Sequence, residues 1–159
     1  SWALVEENRA SARLALVGSG PEEGALRALA ARLGLEHCGF HPLDHPPEQV
    51  AAAADIVAMT SLYELHSRLP LWAMGAGRPI VAFDSDGVRM SYRNGVEGLL
   101  VSAGRVEAFA QALGELIADP AARARMGERG LRRIADFGTD RHRAVALRAL
   151  ALLLEDCRE

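Results

Sequence analysis

The chain has 159 residues, 50% hydrophobic and 25% charged, with a formal net charge of −3. A chain of that length makes one ordinary domain, buries roughly 70% of its unfolded surface and needs neither metal nor disulfide to hold a core. All 18 basic residues are arginine, which excludes Schiff-base chemistry on lysine and a lysine-bearing phosphate loop. The near-neutral balance argues against nucleic acid as principal partner. No apolar run reaches the roughly 20 residues of a membrane span, and the longest candidate, 144–154, is broken by Arg148. Glu6, Glu7 and Arg9 fall where the apolar stretch of a signal peptide would lie, so none is expected. Cys38 and Cys157 stand far apart, and a reduced protein of the cytoplasm is the expectation. His37, His41 and His45 recur every four residues, but Gly39, Pro42, Pro46 and Pro47 prevent a shared helix face. There is no Cys-x-x-Cys or His-Glu-x-x-His, so neither a metal nor a bound cofactor is expected.

The hydrophobic pattern alternates in period along the chain. Residues 1–9 read as the end of a helix. Leu14 to Val17 is a short apolar run closed by Gly18-Ser-Gly-Pro21, a buried strand and its turn. Glu22 to Leu33 predicts a helix with Leu26, Leu29, Ala30 and Leu33 in one stripe, stopped by Gly34. A strand over Leu35 to Phe40, a proline-rich loop over 41–47 and a short helix over Glu48 to Ala54 follow. Asp55 to Met59 is a third strand, Leu69 to Ala76 a helix, Pro79 to Phe83 a fourth strand and Gly98 to Val101 a fifth. The remainder is helical: Val106 to Ala118, a helix begun by Pro120 with Asp119 as its cap, and a last helix over Arg141 to Glu155.

Strands of four to six apolar residues alternating with helices require a parallel sheet covered on both faces. The expected fold is therefore α/β, a doubly wound, Rossmann-like parallel sheet with a helical carboxy-terminal tail, in a single domain over 1–159. Such sheets bind ligands at the carboxyl ends of their strands, which singles out the loops 18–21, 40–47, 60–68, 84–94 and 102–105.

Three of these loops carry candidate chemistry. Gly18 and Gly20 let backbone N–H groups approach a phosphate, or simply make a tight turn. The polar stretch Thr60-Ser61-Leu62-Tyr63-Glu64-Leu65-His66-Ser67-Arg68 leads into a helix. Its free amides near Ser67, Arg68 and Leu69 form an anion site to which Arg68 adds a charged contact; alternatively Ser67 is an N-cap and Arg68 is solvated. Asp84 and Asp86 could hold hydroxyls or a cation, or close an Asx turn, and Arg89 and Arg93 either meet phosphate or face solvent. Ser61 and His66 have nothing to orient the imidazole, so no hydrolytic triad is expected.

The order of segments resembles the carboxy-terminal half of GT-B glycosyltransferases, and within them the retaining group 1, or family 4. The resemblance rests on Leu16-Val-Gly-Ser-Gly-Pro21, Gly39-Phe40, Ala54-Asp55-Ile-Val57, Ser61 with Glu64, and Ala73-Met-Gly-Ala-Gly-Arg-Pro-Ile-Val-Ala82. Asn94-Gly-Val-Glu-Gly-Leu-Leu-Val101 and the run from Ala118-Asp-Pro120 through Gly127 extend it. It implies that this half binds a nucleoside diphosphate sugar without metal, while an amino-terminal half, absent here together with the family's first strand, binds a hydroxyl acceptor. Glu64 then matches the first Glu of the family's Glu-x7-Glu motif, the catalytic carboxylate near the donor sugar. Ser61, His66, Ser67, Arg68 and Leu69 fall in the segment that meets the diphosphate or sugar. Gly39, Phe40 and His41 match the strand end near the base, and Gly18 and Gly20 the turn facing the cleft.

The sequence also departs from the family. Trp72 stands where the motif has its second Glu, so at the ribose an indole would have to stack where a carboxylate accepts hydroxyls. Leu65, His66 and Ser67 replace the glycines after Glu64, and Met90 replaces the Glu of Gly-Gly-x-x-Glu. Two functions follow. One is the donor half of a sugar transferase acting with retention, located in the cytoplasm or at the inner membrane face through the missing half. The other is a degenerate GT-B-like module with a structural or protein-interaction role. An unrelated nucleotide-binding α/β domain is a third reading, disfavoured by the short helical tail.

Overall fold

A computed structural model describes residues 2–8 and 12–138 of the chain. The elements, in order, are α1 (Trp2–Asn8), β1 (Leu14–Val17), α2 (Glu23–Arg32), β2 (Cys38–His41), α3 (Pro47–Ala53), β3 (Val57–Met59), α4 (Leu69–Gly75), β4 (Ile80–Asp84), α5 (Asp86–Arg89), β5 (Gly98–Ser102), α6 (Val106–Ala118) and α7 (Pro120–Arg133), followed by a 3-10 turn over Ile134–Phe137. The expected α/β class, parallel pairing and helical tail are present. The helix expected over 141–155 lies outside the described residues.

Local chemistry explains where the elements depart from their expected bounds. The second strand begins at Cys38 rather than Leu35 because α2 exits through a Schellman-like turn. There the Leu35 N–H reaches back to the Ala30 carbonyl and the Gly34 N–H to that of Ala31. Asp55 and Ile56 are spent on the bend out of α3, so β3 opens only where the Val57 N–H meets the Pro79 carbonyl at 3.0 Å. The loop expected over 84–94 contains α5, started when the Ser85 carbonyl accepts from Val88 and Arg89. Four residues are too few to show a helical period in sequence.

The parallel strands divide into two sheets, β1–β2 and β3–β4–β5, where the sequence suggests one continuous sheet. β4 is the strand that is buried on both faces. Val81 and Phe83 point into one core cluster with Val5 of α1 and Phe109, Leu113 and Leu116 of α6. Ile80 and Ala82 point into the other with Ala51 of α3 and Ala73 and Met74 of α4. Phe83 and Phe109 meet with ring centroids 4.9 Å apart and planes tilted by 59°. In the β1–β2 unit the apolar stripe of α2 forms but stays largely uncovered: Leu26, Leu29 and Leu33 are exposed, and over residues 12–41 Ala30 alone is buried. β1 alternates half-buried and exposed residues, so its outer edge contributes to neither core.

The helical tail is fixed by caps and a close approach. The Asp119 carboxylate accepts the Ala122 N–H at 2.8 Å with Pro120 in the first turn, as the sequence predicts. α7 lies so close to the turn after α4 that a Cβ at Gly127 would land on the Gly77 carbonyl. The Arg133 guanidinium donates to the Ser91 carbonyl at 2.9 Å and ties the tail to the segment before β5.

That segment holds a buried charge. Glu97 is 0% exposed, and its carboxylate accepts from the Arg93 backbone N–H at 2.8 Å and from the Arg93 guanidinium. Burial pushes the Glu97 carboxyl up, but the hydrogen bonds from Arg93, with the charge of Arg133 nearby, outweigh it and hold the group below its ordinary value. A folded-state pKa below the unfolded one gives stability that is present above the unfolded value, near 4.3, and is lost as pH falls through the folded value. Glu97→Gln is therefore expected to lower stability by about 2 kcal/mol at pH 7. The gap to wild type should close in melts run towards pH 3, where the wild-type carboxyl is protonated too. A gap unchanged with pH would show that the ionised form is not what matters.

Candidate functional site

All of the strands are parallel within their sheets, so their carboxyl ends gather the loops in two groups. In the first, Gly18 follows β1 and its N–H donates to the His41 carbonyl at the end of β2 at 2.9 Å. The Gly20 carbonyl accepts from Glu23 to start α2. These turns border an open concavity of about 380 Å³ floored by Leu16 and Phe40. The Arg27 guanidinium lies 4.5 Å from the Phe40 ring centroid while it pairs with Glu23 at 2.8 Å. Gly39 is half-buried within β2, and the exposed His41 closes that strand.

The second group lies beyond β3. Met59 ends that strand with its side chain buried, and the Ser67 hydroxyl donates to the Met59 sulfur at 3.3 Å, which holds the base of the loop. Between them Ser61 and Glu64 are half-buried, while Leu62, Tyr63, Leu65 and His66 are exposed. The Glu64 carbonyl accepts the Gly87 N–H at 3.1 Å. Gly87, in the first turn of α5, is packed so tightly on this loop that a Cβ there would collide with the carbonyls of Glu64 and Leu65. The loop carrying Glu64 is thus seated on the helix that follows β4.

Arg68 precedes α4 and does not cap it through its side chain. Among the described residues no acceptor meets the N–H groups of Ser67, Arg68 and Leu69. Pro70, fully buried in the first turn, has no N–H to offer. The Ser67 side chain, engaged by Met59, is not the N-cap that sequence offered as one alternative. The Arg68 guanidinium lies 5.4 Å from the centroid of the Trp72 ring, and among the described residues it has no carboxylate partner. Trp72 is half-buried against the cluster of Ala73, Met74 and Ile80.

The neighbouring arginines are taken. Arg89 makes a two-pronged contact with Asp84 at 2.5 and 2.8 Å. The hydrogen bond from Arg89 lowers the Asp84 carboxyl below its ordinary value. Asp84 therefore neither closes an Asx turn nor stands open to a ligand, and Asp86, at the start of α5, is almost wholly exposed. Arg93 is held by Glu97. Sequence reasoning missed Glu97, although its i, i+4 spacing from Arg93 was a usable signal, and it missed the close approach at Gly87. Among the described residues no group of three or more His, Cys, Asp or Glu side chains could hold a metal ion, and no helix is long and apolar enough to cross a membrane.

The structure thus brings Ser61, Glu64, His66, Ser67, Arg68, Leu69 and Trp72 to one strand end, and Gly18, Gly20, Gly39, Phe40 and His41 to another. No hydrogen bond or ion pair among the described residues joins the two groups. Gly87→Ala should leave the core strands folded but displace the Glu64 loop. Hydrogen exchange is expected to quicken across 61–68 far more than across β4, and uniform loss of protection would mean that Gly87 serves the whole fold.

Comparison with known proteins gives a consistent answer. A family model described as Glycosyl transferases group 1 matches residues 1–119. The lipopolysaccharide core biosynthesis glycosyltransferase LpsE of Rhizobium meliloti is 34% identical over 116 residues, covering 72% of this chain and 34% of the relative. The D-inositol 3-phosphate glycosyltransferase of Nocardia farcinica is 39% identical over 125 residues, covering 76% of this chain and 28% of the relative. The chain therefore spans about a third of the length of these curated relatives. Among solved structures, HepE of Anabaena in complex with UDP-glucose superposes with a TM-score of 0.74 at 26% identity, over 86% of this chain and 40% of that one.

Proposed function

The chain belongs to the group 1 glycosyl transferases, and from that membership we propose that it is the carboxy-terminal, donor-binding half of a retaining family 4 enzyme. That enzyme moves a sugar from a nucleoside diphosphate sugar to a hydroxyl acceptor. The rest of the protein supplies the amino-terminal half that holds the acceptor, as well as a first strand of the donor half. The edges of β1 and β3 that have no partner strand among the described residues support this last point. The enzyme works in the cytoplasm or, through that other half, at the inner membrane face.

The observation that carries the reading is that a half-buried Glu64 and an Arg68 with no carboxylate partner among the described residues stand on one strand-end loop, seated against α5. Arg68 and the free N–H groups of Ser67 and Leu69 take the diphosphate, and Glu64 faces the sugar. Leaving-group departure builds negative charge on the diphosphate, and donors already in place stabilise it without reorganisation. No metal is needed for that role when guanidinium and amides supply the positive field. The concavity beside Gly18, Gly20 and Phe40 receives the nucleoside, and Gly39 and His41, which flank Phe40 on β2, serve the base. Ser61 and His66 flank the sugar.

A second reading, a non-catalytic module, rests only on Trp72 and Met90 standing where the resemblance expects carboxylates. Titration with UDP, GDP and ADP separates the two. UDP is the first to try, because HepE is seen with UDP-glucose. A ligand at a hundred times its dissociation constant raises stability by about 2.7 kcal/mol, which a melting curve resolves easily. No shift with any of the three at millimolar concentration would select the module. In the transferase reading Glu64→Ala is expected to weaken the sugar nucleotide about tenfold and the bare nucleotide hardly at all, a difference of ~1.4 kcal/mol. Equal losses would remove Glu64 from the sugar.

A further inference from the structure

Trp72 follows Arg68 by one helical turn, the i, i+4 spacing that stacks side chains on a shared face of α4. The half-buried indole is packed against the core cluster that holds Ala73, Met74 and Ile80, so the core supports it from one side. The exposed Arg68 guanidinium rests over that plane, 5.4 Å from its centroid. Arg89 and Arg93 point their guanidinium groups at Asp84 and Glu97, but Arg68 has no such carboxylate among the described residues. An arginine fixed by a ring rather than by an acid keeps its whole positive charge and its in-plane N–H donors for another anion.

We propose that Trp72 is a positioning residue for the diphosphate. Its ring holds the Arg68 guanidinium in place from one face and leaves its N–H donors to the anion. The inference rests on the reading that a diphosphate binds at this strand end. Trp72 itself touches neither ribose nor base: an indole donates through Nε1 and accepts nothing, and the face available for stacking is already occupied by Arg68. The departure from the carboxylate pattern is then a change in how the site is held. Contact with ribose hydroxyls is lost, and a better-fixed cation at the phosphates is gained.

The test uses the full chain and inorganic pyrophosphate, which carries the diphosphate without base or sugar, with UDP in parallel. Arg68→Ala and Trp72→Ala are each expected to weaken pyrophosphate about tenfold. The double variant should be little worse than either single one, because the ring acts through the guanidinium. Trp72→Phe, which keeps an aromatic face, should recover most of the loss, and Trp72→Leu should not. If Trp72→Ala fails to fold, the Phe and Leu pair carries the comparison alone. Additive losses, or a leucine variant that binds as well as the phenylalanine one, would overturn the proposal while leaving diphosphate binding in place. Wild-type protein that binds neither pyrophosphate nor UDP would overturn both this inference and the reading beneath it.

Discussion

The Gly87 N–H donates to the Glu64 carbonyl across 3.1 Å, and nothing larger than a hydrogen fits on the Gly87 Cα at that contact. The loop after β3 would otherwise be a nine-residue polar excursion with most of its side chains in water. Seated on α5, it inherits the rigidity of β4, whose residues are buried on both faces between two core clusters. Position at the strand end is thereby transmitted from packing to chemistry. Phe83 and Ile80 anchor β4 from opposite sides, β4 places Ser85 and α5, and α5 fixes the backbone that presents Glu64.

Charge is distributed around this frame with a clear division. Asp84 takes Arg89 and Glu97 takes Arg93, so both arginines between β4 and β5 are neutralised by acids a few residues away. The Glu97 pair is worth more than an exposed pair because its acid is fully buried, and removing one partner would leave the other's geometry unsupported. Arg68 is left out of this pairing and leans on an aromatic ring instead. Among the described side chains of the β3–β4 site it is therefore a cation whose field no neighbouring carboxylate cancels.

The sequence made the β3–β4–β5 half readable because its strands are short apolar runs with turn residues at both ends, and both faces really are covered. It was less informative for β1 and β2. Leu14 and Leu16 look like a buried strand in any pattern, but whether a strand is buried depends on what lies beside it, and the facing edge has no partner among the described residues. The same holds for α2, whose leucine stripe is correct in spacing and largely uncovered in space. In the site, residue types were legible and pairings were not. Asp84 and Arg89 could each be named as ligand candidates, yet their mutual contact depends on the turn made by α5, which no periodicity announces. Gly87 is hidden for a similar reason, since a close backbone approach leaves no trace in composition.

A chain with no lysine has only guanidinium side chains to bring a permanent positive charge to an anion. That restriction shapes how the charge must be held. An ammonium is a compact, strongly hydrated point charge that works from many angles, whereas a guanidinium is planar and binds oxygen atoms well only along its edge. An acid can orient that plane, but it also takes up the edge and cancels the charge, as Asp84 does to Arg89. A ring orients the plane from its face and leaves both edge and charge free. In a chain whose only permanent cations are arginines, a tryptophan one turn along the helix from an arginine is thus a physically economical way to keep a cation both placed and available, and a carboxylate at this position would have done the opposite.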